Sequence, residues 1–214
     1  MNEAADTAER LNILLAAAGQ GTLSADLSSR FIAYLSLILR WNARVNLTAV
    51  RDEEGILSRH FVESIACARA LPAGIGTLLD FGSGAGFPGV PIALCRPEIA
   101  VTLAESQGKK AAFLQEAVRV LGISARVHCG RAEALRVVFD CVALRAVDRM
   151  REAVSAGSQL VAVGGWLAPM TTGSELEGVK AAAGDGFEWG VPVMLPGGED
   201  RIVALGQRKV SSPA

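Results

Sequence analysis

The chain has 214 residues, half of them hydrophobic and many of those alanine, enough for a substantial core in one large domain or a core domain with a smaller appendage. Its 21 basic and 22 acidic residues leave a formal charge of -1, balanced as seven against eight in 1–74 and fourteen against fourteen in 75–214. This composition excludes a disordered or fibrous chain, but it neither announces nor excludes a nucleic-acid partner, because a local basic patch can sit on a neutral protein.

The first ten residues carry Glu3, Asp6, Glu9 and Arg10, the wrong charge pattern for a secretory signal. The apolar run "FIAYLSLIL" at 31–39 is too short to span a bilayer, so neither secretion nor membrane insertion is expected, and a cytoplasmic location is. Cys67, Cys95, Cys129 and Cys141 form no close pair and have only His60 and His128 as imidazole partners. They read as reduced thiols, with no metal site expected.

In chain order, residues up to about 73 read as helical. Leu11, Leu14, Leu15 and Ala18 share one face of a first helix, which Gly19 and Gly21 stop. Ser24 is a candidate N-cap for a second helix, with Leu27, Phe31, Tyr34, Leu35, Ile38 and Trp41 at threes and fours. In "WNARVNLTAV" (41–50) that rhythm breaks, and Asn42, Asn46 and Thr48 read as a turn held by side-chain-to-backbone bonds. A further helix over 53–70 ends at Leu71-Pro72 and brings His60, Glu63, Ser64 and Cys67 onto one face. These elements predict a helical appendage over 1–74.

From 75 the period changes. Strands are expected at 77–81, 101–105, 125–129, 139–147, 165–170, 187–195 and 201–209, with helices opening at "FPGVPIALC" and covering 109–121, 150–160 and 174–182. Alternating strands and helices predict an α/β, Rossmann-like, mostly parallel sheet over 75–210 with an antiparallel C-terminal strand, and a flexible tail at 211–214.

The stretch "LLDFGSGAGFPGVPIALCRPEIAVTLAES" (78–106) puts Gly82, Gly84, Gly86 and Gly89 between two apolar runs. A glycine loop between a first strand and the next helix gathers ligand at the carboxyl ends of the strands. Gly84, Gly86 and Gly89 fit G-x-G-x-x-G with Glu105 twenty-one residues after Gly84, so on that pattern alone a dinucleotide-binding oxidoreductase survives. Three features favour S-adenosylmethionine. Asp80 starts the loop with a carboxylate, which suits an ammonium and a sulfonium better than a pyrophosphate. The dinucleotide register leaves Gly82 and Ser83 unexplained. No second glycine-marked half follows residue 120. Glu105, closing the second strand, is placed to accept the hydroxyls of a ribose in either case. In "GRAEAL" (130–135), Ala132 offers backbone groups and Glu133 a carboxylate to the amino edge of an adenine.

The motifs "RWNARVNLTAV" (40–50), "SRHFVESI" (58–65), "DFGSGAGFPGVPIA" (80–93), "TLAESQGKKAAFL" (102–114), "GRAEAL" (130–135), "LRAV" (144–147) and "EDRIVALGQRK" (199–209) together span nearly the whole chain. In order and spacing they resemble the bacterial glucose-inhibited-division-B family of small-subunit ribosomal RNA methyltransferases. That resemblance implies methylation of N7 of one guanosine in 16S rRNA, with S-adenosylmethionine as donor and 16S rRNA or the small ribosomal subunit as partner. It also implies that Gly82 and Phe87 line the amino-acid and ribose side of the cofactor, Ala132 and Glu133 its adenine, and that Arg145 faces the cofactor and target cleft. The chain departs from the family pattern at Glu63, where aspartate is usual, at Leu144, where serine is usual, and at Met170 and Thr171, where a lysine-glycine pair is usual.

The implied chemistry asks little of side chains. Guanine N7 has an in-plane lone pair and no proton, so transfer needs alignment, and neither a general base nor a covalent nucleophile. Arg145 is the candidate aligning residue, with a planar fork suited to guanine O6 or a phosphate. Arg59, His60, Lys109, Lys110, Arg149 and Arg151 are the other candidates for RNA contact. A non-catalytic RNA-binding module is the remaining alternative, and a monomer is expected.

Overall fold

The computed structural model describes residues 3–147, 149–198 and 200–210; the expected tail at 211–214 lies outside them. Helix α1 spans Glu3–Ala17 and α2 spans Ala25–Asn42. Ser24 caps α2, its hydroxyl accepting the Leu27 N–H at 3.2 Å. Asn42 then organises the loop beyond α2. Its Oδ1 accepts the N–H groups of Leu47 and Thr48 at 2.9 and 3.2 Å, and its amide donates to the carbonyls of Thr48 and Val50. The third helical region is continuous but not uniform: α3 (Glu53–Gly55) passes through a π-helical stretch (Ile56–Phe61) into α4 (Val62–Ala70).

Strands β1 (Thr77–Phe81), β2 (Ala100–Glu105), β3 (Ala125–Cys129), β4 (Phe139–Arg145) and β5 (Val161–Thr172) pair in parallel in the order β3-β2-β1-β4-β5. Helices α5 (Gly89–Cys95), α6 (Gly108–Leu121), α7 (Met150–Ser158) and α8 (Leu176–Ala183) connect and cover them. This is a mixed, mostly parallel Rossmann-like sheet of the class I methyltransferase type. β4 is shorter than expected, ending at Arg145. β5 is longer, because Gly164 takes a left-handed φ of +77° and a Cβ at Gly165 would press to 2.8 Å from the Asp140 carbonyl, so a glycine kink with a register shift lets the strand begin at Val161.

The two closing strands are each split. β6 (Phe187–Trp189) and β7 (Val193–Met194) replace the first, β8 (Arg201–Val203) and β9 (Gly206–Arg208) the second. The break between β8 and β9 falls opposite Pro169, which has no N–H to give the ladder. β8 pairs antiparallel with Met170–Thr172, β9 with Trp166–Leu167, and between them the Ala204 N–H reaches the Pro169 carbonyl at 3.1 Å.

Two apolar layers sandwich the sheet. On one face Leu78, Val101, Leu103 and Ala143 pack with α5, α6 and the N-terminal helices; on the other Leu79, Phe81, Val142 and Leu144 pack with α7 and α8. The N-terminal helices therefore share a core with the sheet. Tyr34 of α2 stacks on Phe61 with ring centroids 5.4 Å apart and lies 5.6 Å from Phe87 of the glycine loop. Among the described residues no helix is long and apolar enough to cross a membrane.

Candidate cofactor cleft and the buried arginine beside it

The loop after β1 runs from Gly82 to Pro88, and its glycines divide into two kinds. Gly82 and Gly84 have left-handed φ values of +75° and +57°; a Cβ on Gly84 would meet only the Gly82 carbonyl, at 3.9 Å. Gly86 is also left-handed, at +92°, but a Cβ there would lie 2.5 Å from the Tyr34 hydroxyl and 2.7 Å from Val90. Its N–H donates to the Ser83 carbonyl. Gly86 thus serves packing between the loop and α2. Gly89 is pressed against Leu103 and Asp80 in the same way.

The loop's N–H groups point inward. Those of Gly82 and Ser83 donate to the Ala104 carbonyl, Gly84 to Glu105 Oε2 at 2.9 Å, and Gly89 to Asp80 Oδ2 at 3.0 Å. A pyrophosphate cradle needs such groups aimed at the ligand. Here they are consumed, and two carboxylates stand behind them, an arrangement hostile to an anion and favourable to a cation. Glu105 is buried and accepts the Gln107 N–H at 2.7 Å with its second oxygen, leaving lone pairs for further donors.

Asp80 is fully buried, and its Oδ1 has no hydrogen-bond partner. Burial pushes its carboxyl up to about 7, with the charge of Glu105 adding to the rise and the Gly89 N–H and Arg145 opposing it.

At the carboxyl ends of β1, β2 and β3 lies a cleft of about 390 Å³ lined by Phe81, Gly82, Ala104, Ser106, Ala132, Glu133 and Val147 among others. That volume suits a nucleoside-sized ligand. Ala132 and Glu133, in a 3-10 turn after β3, form its far wall, with Arg131 and Arg149 at the rim. Beyond β4 the backbone is strained: Ala146 and Arg149 take φ values of +49° and +58°, flanking the segment that carries Val147 over Gly82.

Arg145 is placed differently from an open fork. Its side chain is 8% exposed, and Nη2 donates to Glu63 Oε2 at 2.7 Å, to the Arg59 carbonyl at 3.0 Å and to His60 Nδ1 at 3.0 Å. Its Nε has no partner. The guanidinium lies over Phe87, 5.7 Å from the ring centroid, and the His60 ring packs on the same phenylalanine at 4.7 Å. Because His60 Nδ1 accepts from an arginine, its proton is assigned to Nε2, which donates to Thr48 Oγ1 at 2.8 Å. Burial, with Arg145, Arg59 and Arg201 nearby, holds the imidazole neutral, down to about 3.

The other expected RNA contacts separate. The Arg59 side chain and Lys109 are exposed and Lys110 is half-buried, the two lysines on the first turn of α6. Arg149 borders the cleft and pairs with Glu152 at 3.2 Å. Arg151 lies over Gly178 of α8, where a Cβ would come 2.6 Å from its Nη2. His60 is buried in the arginine network. Met170 and Thr171 are buried, Met170 in register with Arg145. Sequence reasoning put Thr48 in a turn and Tyr34 on a helix face without joining either to the site, and it missed the Glu63–Arg145 pair. Nothing in the local pattern joins positions 82 residues apart, although Glu63 and Arg145 each stood out alone. Among the described residues no group of three or more His, Cys, Asp or Glu is arranged to hold a metal.

Residues 27–183 match the family model described as rRNA small subunit methyltransferase G, GidB. The chain is similar to the ribosomal RNA small subunit methyltransferase G of Xanthomonas campestris pv. campestris strain B100, 39% identical over 191 residues, covering 86% of this chain and 89% of that one. It is also similar to the protein of that name from Roseiflexus castenholzii, 40% identical over 198 residues, covering 86% and 85%. Among solved structures, a methyltransferase from Pyrococcus furiosus superposes with a TM-score of 0.62 at 12% identity, covering 85% of this chain and 98% of that one. A SAM-dependent methyltransferase from Aquifex aeolicus gives 0.56 at 15%, covering 72% and 93%. At those identities the likeness shows the fold alone.

Proposed function

The chain belongs to the GidB family of rRNA small subunit methyltransferases and is an S-adenosylmethionine-dependent methyltransferase, and from that premise we propose that it methylates N7 of a guanosine in 16S rRNA. The observation that carries the choice of donor is the glycine loop, whose N–H groups are spent on the protein and whose back is lined by Asp80 and Glu105. S-Adenosylmethionine supplies an electrophilic methyl on a cationic sulfur. Glu105 provides the negative charge and accepts ribose hydroxyls with its free lone pairs, Asp80 adds to that charge only in its ionised form, and Ala132 and Glu133 bound the adenine.

Guanine N7 attacks through its lone pair and acquires positive charge without losing a proton. The reading of the site supports a transfer without a base: His60, the imidazole in the arginine network, is neutral, buried and bonded through both ring nitrogens. What remains is alignment of N7, methyl carbon and sulfur. Arg131 and Arg149 at the cleft rim, with Arg59 and Lys109 exposed elsewhere on the surface, are the cations available for phosphate contacts. The enzyme acts in this reading as a cytoplasmic monomer, the RNA providing its partner surface.

Transfer of labelled methyl from S-adenosylmethionine to naked 16S rRNA, to a folded RNA domain and to small ribosomal subunits tests the proposal. Label in one of these, absent from large-subunit RNA, is expected; label in none of them overturns it.

A further inference from the structure

Arg145 is a buried cation at the carboxyl end of β4, two residues before the Val147 that borders the cleft and touches Gly82. Among the described residues one carboxylate forms an ion pair with it. Arg59 and Arg201 lie near enough to bear on the same imidazole as Arg145, and that imidazole is neutral. Asp80 is drawn toward its uncharged form by burial. The compensating group is Glu63, 1% exposed, whose Oε2 meets Arg145 Nη2 at 2.7 Å. A cationic methyl donor bound beside an unbalanced guanidinium would be repelled in a medium that screens poorly, and the guanine cation formed by transfer would meet the same repulsion.

We propose that Glu63 is a positioning and charge-compensating residue: it cancels the Arg145 guanidinium and holds it against Phe87, so that the site accepts the sulfonium of S-adenosylmethionine. The inference rests on the proposed function only in taking that molecule as the donor. It concerns discrimination by charge, so it is read without turnover. S-Adenosylhomocysteine is the same ligand lacking the methyl and its positive charge, and a defect of shape alone weakens both ligands together.

The test is titration of the purified full chain with each ligand, alongside a thermal melt. In Glu63→Gln, which keeps the volume and one acceptor, affinity for S-adenosylmethionine should fall at least about tenfold relative to that for S-adenosylhomocysteine. In Glu63→Gln with Arg145→Gln, which removes both charges, the ratio should return toward wild type. Equal weakening of both ligands in Glu63→Gln, or no change in either, overturns the proposal. Should Glu63→Gln fail to fold, Arg145→Gln alone decides: the ratio should move toward the sulfonium, and no change or a move against the sulfonium contradicts the inference. Wild-type protein that binds neither ligand removes the donor assignment and this inference with it. Binding of both without RNA methylation leaves the charge test intact and discards only the RNA target.

Discussion

The carboxylate of Glu105 accepts the N–H of Gly84 at 2.9 Å, so the residue that closes β2 holds the loop that follows β1. One side chain thus shapes the cleft wall and contributes charge to it. Glu105→Ala should weaken S-adenosylmethionine binding roughly ten- to a hundredfold, the worth of charge-assisted bonds of about 1.5 to 3 kcal/mol. The fold should persist, because the Gly84 and Gln107 N–H groups released lie in a loop that water can reach. Isothermal titration checks the affinity and circular dichroism the fold; unchanged affinity would leave Glu105 as a loop anchor only.

The two kinds of glycine should fail in different ways. Gly84→Ala places a methyl group in open space at a left-handed φ, costing about 1 to 2 kcal/mol of stability and standing where the proposed cofactor would approach the loop. Gly86→Ala drives a methyl into the Tyr34 hydroxyl and Val90 and should cost more, roughly 2 to 4 kcal/mol, with loss of the α2 contact. Denaturant melts with cofactor titrations separate them: Gly84→Ala loses binding out of proportion to stability, Gly86→Ala the reverse.

Asp80 and His60 should give the apo-protein opposing pH dependences. Asp80 titrates near 7 when folded, well above an unfolded carboxyl, so its protonated form stabilises the fold below about pH 4 and that contribution is lost as pH rises toward 7. His60 is held neutral down to about 3, so its contribution is present above 6.5 and is lost as pH falls toward 3. The slopes oppose between about 4 and 6.5. Asp80→Asn should unmask a fall in stability on acidification, and His60→Gln a rise. Urea melts from pH 4 to 8 check both, and parallel slopes in the two variants would contradict the assignment.

Arg145→Lys keeps the charge but shortens the reach and removes the planar fork and the Nε–H. RNA affinity should be largely retained at fixed salt while single-turnover methyl transfer falls at least about tenfold, or 1.4 kcal/mol of transition-state stabilisation. A wild-type rate would make Arg145 a generic positive charge.

Most of the fold was legible because its signals are local. Ser24 marks the start of α2, the Asn42 turn is written in side chains that bond the adjacent backbone, and β1 and β2 are largely apolar runs bounded by glycine or charge. The last closing strand was misjudged because the break between β8 and β9 is set by Pro169 on another strand. In the site, Asp80 and Glu105 stood out by position, but the role of Gly86 depends on Tyr34 and that of Arg145 on Glu63. Both are contacts between the N-terminal helices and the sheet, which no local period records.

The product proposed for this enzyme is N7-methylguanosine in small-subunit RNA. The direct measurement is site mapping and nucleoside mass spectrometry of 16S rRNA after incubation with the purified protein and S-adenosylmethionine carrying an isotopically labelled methyl. Labelled N7-methylguanosine at a single position, with no label on other nucleosides, is the expected result; label on an exocyclic nitrogen, a ring carbon or a ribose hydroxyl would contradict the proposed function.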